Sequence, residues 1–389
     1  MKKNTEFLNG VKGMAAIMVV LHHFLLAFLP ATYYGDSTIS RIPFQLDVKF
    51  AQSIFSFLFN GNFMVHIFLM VSALIYTNKI LNTDRAELST VVSNVLIKRY
   101  LRLIVPIFVV SLIIYLLNGL NLFSNISVGN ITKSSWLMSY YNDKLSFMDI
   151  INGVLFLIPF VGNNVICSVF WCIPYLIFGC YLSILLGIYI KKIERKSIYL
   201  LLILILFCVL NSSYYLSILL GILLSFGIKF KIFSTKKNIK KGIIFIFVGC
   251  FLGAYPSGTV PTNIYKYLNF IFLTDPKVIM HGFGAFFLLY GILKIENIRK
   301  CFLNKYCILA SKYSFSMYLV HIPILYTIGT STFKLLYLNV LKKYLFSVFI
   351  TLIIFSIFLY IFSVLFNKII EIKLYKFLLN QYFKIIKED

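Results

Sequence analysis

Long apolar runs separated by short polar or basic stretches dominate the hydrophobic pattern of this chain. A helix needs roughly 20 apolar residues to cross about 30 Å of hydrocarbon, and by this criterion the pattern predicts about ten membrane-spanning helices. The predicted spans begin near Gly10, Asn62, Leu101, Ile166, Ser197, Ser213, Gly242, Val278, Ser314 and Tyr344. The predicted fold class is therefore an all-α, polytopic integral membrane protein with one membrane-embedded domain over residues 1–389.

Two short segments decide whether the number of predicted membrane spans is ten or differs from ten by one. The polar residues 211–213 must form a turn that joins two adjacent spans. Residues 150–161 are apolar but too few to cross a bilayer, which indicates an interfacial or re-entrant segment.

The 37 lysines and arginines are divided unequally between the two sides of the predicted bundle. Most of them fall on one set of alternating segments, and cytoplasmic loops are the segments that retain positive charge. The pattern therefore predicts that both termini are cytoplasmic. It places residues 33–49 and 118–149 outside, where they are expected to cover an outward-facing site.

Composition agrees with this membrane assignment and excludes a water-soluble fold. Hydrophobic residues make up 60% of the chain and charged residues only 13%, against about 25% charged in soluble domains. A net charge of +24 is also typical of nucleic-acid binding, but apolar runs of bilayer length separate the basic residues here. We expect a lipid bilayer as partner and no nucleic acid.

The seven cysteines have neither the spacing of a zinc site nor that of a disulfide framework. Most lie in or beside apolar segments, so we interpret them as buried thiols and predict no metal site. They are Cys167, Cys172, Cys180, Cys208, Cys250, Cys301 and Cys307.

All five histidines fall inside predicted spans, whereas the 13 carboxylates fall in loops, tails or span margins. This division is unfavourable to a carboxylate proton relay and to a hydrolase with paired carboxylates. Ionisable groups inside a membrane are functional candidates by default, although a neutral, hydrogen-bonded histidine is inexpensive to bury. For His66 and His281 a structural role is the simpler interpretation.

Lys12 and His23 are predicted to share one face of the first span. They are separated by about three helical turns, a rise of about 16 Å. One interpretation is a cytoplasmic cation and a mid-membrane imidazole that line the same channel. The other is that Lys12 reaches anionic lipid and His23 binds a neighbouring carbonyl. The adjacent His22 points about 100° away around the helix.

Two further clusters carry polar chemistry. Arg99 and Arg102, three positions apart, present two guanidinium groups suited to phosphate oxygens, or they anchor the third span by the positive-inside rule. Ser314, Tyr318 and His321 recur at helical spacing along one stripe of an otherwise apolar span. Such a stripe is expected to face protein or a water-filled cavity.

These motifs together resemble the membrane-bound acyltransferase-3 family of bacterial O-acyltransferases. Residues 8–23, with Lys12 and His23, look like the family's first-span signature of a basic residue, ten residues and a histidine. Residues 67–74 resemble its second-span apolar run. Residues 99–106 match its RxxR-and-proline element, and residues 314–323 match its SxSxYLxHxP element.

Three positions depart from the family's pattern. Lys12 stands where arginine is usual, and Ala73 stands where the second-span run has glycine. Residues 170–176 resemble a Trp-x-Leu-Pro-x-Glu segment, but Leu176 occupies the position of the glutamate. Whatever that carboxylate does is then absent or supplied by another residue.

The resemblance implies transfer of an acyl group, commonly acetyl, from cytoplasmic acyl-CoA to a hydroxyl of a cell-envelope glycan or lipid-linked glycan, in the bacterial cytoplasmic membrane. Lys12, Arg99 and Arg102 would bind the CoA phosphates. His23 would act as base or carry the acyl group, and Lys12 is counted with it among the catalytic residues. The residues expected to orient donor or acceptor are Ser314, Tyr318 and His321.

Two other functions remain open from the sequence alone. A carrier or flippase for lipid-linked sugars would also have about ten spans and cationic edges. A relative that has lost catalysis would account for Leu176 and for the lysine at position 12.

Overall fold

The computed structural model describes residues 6–233, 237–271 and 274–388, and this part of the chain is helical without any strand. Lys2 and Lys3, which belong to the basic residues assigned to the cytoplasmic side, lie outside the described residues. The α-helices are α1 (Phe7–Phe28), α2 (Ala31–Tyr34), α3 (Leu46–Ala51), α4 (Gly61–Leu81), α5 (Leu88–Gly119), α6 (Asn125–Thr132), α7 (Ser135–Met138), α8 (Phe147–Asn152), α9 (Ile173–Ile193), α10 (Ile198–Leu210), α11 (Tyr215–Lys229), α12 (Ile239–Gly253), α13 (Pro276–Lys294), α14 (Glu296–Phe302), α15 (Lys305–Ile324), α16 (Thr330–Leu335), α17 (Tyr344–Phe366) and α18 (Tyr375–Glu388).

Among the described residues, six helices are long and apolar enough to cross a membrane. They are Phe7–Phe28, Gly61–Leu81, Leu88–Gly119, Pro276–Lys294, Lys305–Val340 and Tyr344–Gln381. Each of the ten predicted starts lies in, or shortly before, a different helix. These helices are α1, α4, α5, α9, α10, α11, α12, α13, α15 and α17. The prediction of an all-helical membrane protein is confirmed.

Of the two short segments of the sequence, the turn at residues 211–213 is confirmed, and residues 150–161 belong to a short helical segment. The polar residues after Leu210 form a turn, and α11 begins at Tyr215. Phe147–Val161 is an apolar helical segment shorter than a span, and its second part, Gly153–Val161, is a π-helix.

The chain divides into two compact units by its internal contacts. Unit 1 consists of the described residues within Met1–His22, Lys49–Val95 and Tyr175–Lys312. Unit 2 consists of those within His23–Val48, Leu96–Pro174 and Tyr313–Asp389. Helix α1 contributes its first part to unit 1 and its last turns to unit 2.

In unit 1, small residues allow helices to pack closely. A Cβ atom added at Gly249 of α12 would lie 2.5 Å from the backbone nitrogen of Leu288 in α13. One added at Gly221 of α11 would lie 2.5 Å from the carbonyl oxygen of Met70 and 3.0 Å from the Ala73 side chain in α4. Membrane helices associate through such small-residue contacts because lipid supplies no hydrophobic driving force between them.

In unit 2, the last turns of α1 are held by hydrogen bonds from side chains far along the chain. Ser134 Oγ donates to the carbonyl oxygen of Leu26 at 2.7 Å, and the Tyr344 hydroxyl donates to that of Phe28 at 2.6 Å. Helix α15 contains Pro323 and continues into a π-helix over Leu325–Gly329. Proline cannot donate a backbone hydrogen bond, which favours such a local departure from α geometry.

The interpretation of the cysteines as buried thiols is correct for five of them and wrong for two. Cys301 is exposed and Cys250 is half-buried. Cys301 belongs to the short helix α14, which carries charged residues and lies between longer apolar helices. Its neighbours in sequence therefore do not bury it.

Candidate functional site

A pair of imidazoles forms the centre of the candidate site in unit 2. His23, near the end of α1, lies with its Nδ1 atom 3.1 Å from Nε2 of His321 on α15. The two ring centroids are 5.0 Å apart. His321 is fully buried, and His23 is half-buried. The structure thus brings together two of the histidines that the sequence places in separate predicted spans.

The neighbours of the pair fix which ring nitrogens carry protons. Nδ1 of His321 lies 3.1 Å from the carbonyl oxygen of Met317, which is only an acceptor, so this nitrogen donates. For a neutral ring, Nε2 of His321 then accepts a hydrogen bond from Nδ1 of His23. The assignment leaves Nε2 of His23 as the nitrogen with a lone pair, which is the state that a general base requires.

An aromatic layer covers the imidazole pair. Trp136, one of two tryptophans in the chain, stacks on His23 with ring centroids 5.2 Å apart. Tyr326 lies edge-on to Trp136 at 5.4 Å, and Tyr140 and Tyr141 lie edge-on to Tyr326 at 6.5 and 5.5 Å. We call these four rings, Trp136, Tyr140, Tyr141 and Tyr326, the aromatic layer. All belong to unit 2.

Hydrogen bonds from short helices place Trp136 over His23. Ser134 caps α7 by accepting a hydrogen bond from the backbone nitrogen of Leu137, and its hydroxyl also holds Leu26 of α1. The Asn125 side-chain amide donates to the carbonyl oxygens of Leu137 and Tyr140 at 2.7 and 2.8 Å. The segment is therefore attached to α1 one turn beyond His23.

The phenols of the aromatic layer remain uncharged at neutral pH. Burial raises the pKa of Tyr140 to about 12, with a further contribution from the nearby Cys167 thiol. Burial likewise raises the pKa of Tyr141 well above its usual range, and the Tyr141 hydroxyl donates to the carbonyl oxygen of Ile166 at 2.8 Å. The layer thus presents neutral hydroxyl and ring surfaces, which suit a polar but uncharged ligand such as a sugar.

The Tyr326 hydroxyl differs from its neighbours in its hydrogen bonding. Tyr326 is fully buried in the π-helix after Pro323, and within the described part of the chain its hydroxyl has no hydrogen-bond partner. An unpaired buried hydroxyl costs about 1–3 kcal/mol of stability. Such a group in an enclosed layer is a candidate contact for a bound hydroxyl.

The serine and tyrosine of the predicted stripe are placed differently from His321. The Tyr318 hydroxyl donates to the carbonyl oxygen of Val169 and lies 3.0 Å from the Cys172 sulfur. Its ring centroid is 6.0 Å from that of His321. Ser314 is buried on the same helix. Tyr318 therefore connects α15 to the chain before α9, while His321 reaches the imidazole of α1.

The predicted arginine pair lies near one end of unit 2. Arg99 and Arg102 are three positions apart on α5, Arg99 half-buried and Arg102 exposed. From Arg102 to the end of α5 at Gly119 the helix rises by about 25 Å. The chain then leads to the aromatic layer, so the arginines lie near the start of the part of α5 that belongs to unit 2, and this layer follows its end.

Lys12 and His22 belong to unit 1. The Lys12 ammonium lies over the Phe68 ring, 5.9 Å from its centroid. Nδ1 of His22 lies 2.8 Å from the carbonyl oxygen of Phe59. Lys12 and His23 are on the same continuous helix, as the sequence predicts. The two adjacent histidines therefore have separate hydrogen-bond partners, one in each unit.

His66 and His281 form a second buried cluster, within unit 1. Nδ1 of His66 lies 2.7 Å from the Ser217 hydroxyl, and Nδ1 of His281 lies 2.8 Å from the Asn62 side-chain oxygen. Nε2 of His281 lies 2.9 Å from the carbonyl oxygen of Tyr255. These contacts join α4, α11 and α13, which agrees with a structural role for both residues.

An apolar cavity lies beside α15 in unit 2. Its volume is about 710 Å³, and Val320, Pro323 and Ile324 on either side of His321 contribute to its wall. Aliphatic and phenylalanine side chains form most of the remaining lining. They include Val110, Ile113, Leu117, Phe362, Phe366 and Ile370. A cavity of this composition accommodates hydrocarbon and not phosphate or sugar.

Sequence reasoning did not identify the aromatic layer or a buried carboxylate, Glu371. Trp136 carried one signal, because it lies in the stretch 118–149 that the charge pattern predicts to cover a site. Glu371 falls within the basic tail of the sequence, but the helix from Tyr344 continues to Gln381 and leaves only 8% of this residue exposed. The hydroxyl of Ser316 donates a hydrogen bond to its carboxylate.

The fold and the site define a helical membrane protein with a hydrogen-bonded imidazole pair in unit 2. A family model described as an acyltransferase domain, that of the acyltransferase-3 family, matches residues 5–368. This match covers nearly the whole sequence, and the chain belongs to the acyltransferase-3 family. No curated protein and no solved structure matches the chain.

Proposed function

We propose that this membrane acyltransferase moves an acyl group, most simply acetyl, from acyl-CoA to a hydroxyl of a glycan or lipid-linked glycan. The observation that carries the proposal is the hydrogen bond of 3.1 Å between His23 and His321, whose geometry leaves Nε2 of His23 as a base. We further propose ten spans, cytoplasmic termini and location in the bacterial cytoplasmic membrane, on the charge pattern of the sequence.

His23 activates the acceptor in this proposal. Its Nε2 takes the proton as the acceptor oxygen attacks the thioester carbonyl, and His321 holds the ring in the required tautomer. The new C–O bond forms, the C–S bond breaks, and the departing thiolate takes the proton from His23. An acyl-histidine intermediate would use the same nitrogen, with the acyl group passing through His23 before it reaches the acceptor.

The donor approaches from the end of unit 2 that carries Arg99 and Arg102. Guanidinium groups bind phosphate oxygens through paired, charge-assisted hydrogen bonds, and CoA is rich in phosphate. Lys12 adds a cation on α1 about 16 Å along the helix from His23, and it is proposed as a further contact for the donor phosphates.

The acceptor binds against the aromatic layer, on the side of the imidazole pair away from Arg99 and Arg102. Flat aromatic rings with neutral hydroxyls suit the mixed polar and apolar faces of sugars. The cavity of about 710 Å³ beside His321 supports an acceptor with a hydrocarbon anchor, because its lining has little polar surface to offer a sugar. Ser314 lies buried on α15 and is proposed to assist in orienting one of the substrates.

The test is acyl transfer by purified full-length protein in lipid nanodiscs. Acyl-CoA labelled in the acyl group is incubated with cell-envelope glycan and with lipid-linked glycan, and the label in each product is followed by mass spectrometry. Wild-type protein is expected to label the glycan, and His23→Ala protein is not. Acid quenching at early times distinguishes label retained on the protein from direct transfer.

The inactive variant requires a control for folding and insertion. His22→Ala removes an imidazole at the adjacent position, whose hydrogen-bond partner is in unit 1, so it is matched in chemistry. Glycan translocation without any acyl transfer by the wild-type protein would favour the flippase alternative. A wild-type protein that is correctly folded but inactive with every donor and acceptor would contradict the proposal.

A further inference from the structure

Glu371 is a carboxylate buried among apolar helices, and the proposed reaction steps do not use it. It lies in the π-helix Asn367–Leu374, which interrupts the long helix between α17 and α18. Only 8% of its surface is exposed. Its carboxylate accepts hydrogen bonds from the side chains of Ser316 and Asn367. A π-helical turn is frequent at functional sites because it redirects side chains that an α-helix would place elsewhere.

The carboxylate also interacts with the proposed donor-binding end of unit 2. The Arg102 guanidinium attracts Glu371 electrostatically from beyond ion-pair distance. One turn farther along, the Tyr375 hydroxyl donates a hydrogen bond of 3.5 Å to the carbonyl oxygen of Lys98, so this part of the last helix adjoins residues 98–102 of α5. Glu371 therefore links α5, through Arg102, with α15, through Ser316.

A buried carboxylate is costly unless charge and hydrogen bonds compensate it. Here the hydrogen bonds come from Ser316 and Asn367, and the compensating charge is the more distant Arg102 guanidinium. Along α15, His321 lies about 7.5 Å beyond Ser316, so the carboxylate lies at the donor end of the imidazole pair. An exposed arginine alone samples many side-chain conformations, whereas a neighbouring fixed carboxylate restricts them.

We propose that Glu371 is a positioning residue that orients the Arg102 guanidinium for an anionic, phosphate-bearing donor. This inference rests on the proposed function, because it deepens the assignment of the donor-binding end. In it Glu371 does not contact the donor. Its negative charge attracts the Arg102 guanidinium and so restricts the orientations in which this group meets the incoming phosphate.

The experiment measures binding of CoA, an unreactive product, and transfer from acyl-CoA, using full-length protein in nanodiscs. Glu371→Gln keeps the size of the side chain and an oxygen for Ser316 but removes the charge. We expect it to raise both the Kd for CoA and the KM for acyl-CoA about tenfold, with kcat changed less than about twofold. Glu371→Asp is expected to restore part of the affinity.

A double-mutant cycle separates positioning from a purely structural role. Arg102→Gln is expected to weaken CoA binding, and adding Glu371→Gln to it is expected to weaken binding no further. The matched control is Glu296→Gln in unit 1, where a half-buried carboxylate pairs with Lys237 and Lys300, and it is expected to leave the Kd unchanged.

Several outcomes would overturn the inference. If Glu371→Gln lowers the yield or thermal stability of the protein while the Kd for CoA stays at the wild-type value, the role is structural. Additive effects of the two substitutions would also overturn it. If wild-type protein binds no CoA, the donor assignment of the proposed function fails and this inference fails with it. CoA binding that is insensitive to Glu371 would instead leave the proposed function intact.

Discussion

At the scale of single residues, two adjacent histidines differ in their proposed roles because they differ in their hydrogen-bond partners. His22 is bound to a backbone carbonyl, whereas His23 is bound to a second imidazole whose other nitrogen donates to a carbonyl. In a neutral ring each of these contacts leaves Nε2 with a lone pair, but only His23 is oriented by a second imidazole within a chain of hydrogen bonds. This arrangement has the same logic as a catalytic base oriented by a third group.

We expect His23→Ala to lower the transfer rate by about 10²–10⁴-fold, the usual contribution of a general base. His22→Ala is expected to lower it by less than about tenfold, because that ring is hydrogen-bonded to the Phe59 carbonyl oxygen, outside the imidazole pair. The measurement is kcat for each variant at equal amounts of folded, inserted protein. An inactive His22 variant beside an active His23 variant would reverse the assignment.

The unpaired hydroxyl of Tyr326 gives a prediction in which stability and activity change in opposite directions. Tyr326→Phe removes a buried hydroxyl that lacks a partner among the described residues, so we expect thermal stability to be unchanged or raised by about 1–3 kcal/mol. We expect the KM for the glycan acceptor to rise, because the variant loses a contact for an acceptor hydroxyl. Thermal unfolding and acceptor titrations check the two effects separately, and an unchanged acceptor KM would exclude the contact.

At the scale of helices, close packing through glycine governs how unit 1 is assembled. We expect Gly249→Ala to destabilise the protein by about 1–3 kcal/mol, because the added Cβ would lie 2.5 Å from the Leu288 backbone, where no side chain can move aside. Gly119→Ala is the control, since nothing lies within 4 Å of its added Cβ. Thermal unfolding in detergent should distinguish the two variants. Equal unfolding temperatures would contradict the close packing of α12 against α13 at Gly249.

Much of the helical layout was predictable, because an apolar run has only one way to satisfy its backbone in lipid. The spacing of Arg99 and Arg102, or of Tyr318 and His321, also fixes which residues share a helix face. The meeting of His23 with His321 was not predictable from spacing, since 298 positions separate them. The position of Glu371 was missed because a helix that continues past the expected membrane boundary carries a charged residue into a packed interior.

The aromatic layer marks a different limit of sequence patterns. Trp136 lies on a four-residue helix, α7, which has too few residues for any periodicity. Its place depends on single hydrogen bonds, from Ser134 to α1 and from Asn125 to Leu137. Polar side chains that bind distant backbone groups leave no regular pattern in a sequence. The sequence therefore predicted only that the polar stretch 118–149 covers an outward-facing site.

At the scale of the whole molecule, two observations indicate the same direction across the membrane. One is the unequal distribution of basic residues between the two sides, and the other is the order of the functional groups along unit 2. Arg99 and Arg102 lie near the start of the part of α5 that belongs to unit 2, and the charge pattern assigns this segment to the cytoplasmic side. The imidazole pair lies farther along, and the aromatic layer follows on the segment after α5. The proposed reaction therefore has a direction across the membrane, with the donor inside and the acceptor outside.

We expect this direction to appear as strict sidedness of the two substrates. Full-length protein with Cys250 and Cys301 replaced by serine is reconstituted into liposomes. Its orientation is determined by labelling a cysteine introduced at Phe44, on the predicted outer side, or at Asp84, on the predicted inner side. In each oriented population, CoA donor supplied on the Asp84 side and glycan supplied on the Phe44 side should react. Phosphate groups make CoA impermeant, so the reverse arrangement should give no product. Product formed equally with both substrates on either side would contradict a donor end at Arg102 and an acceptor end at Trp136.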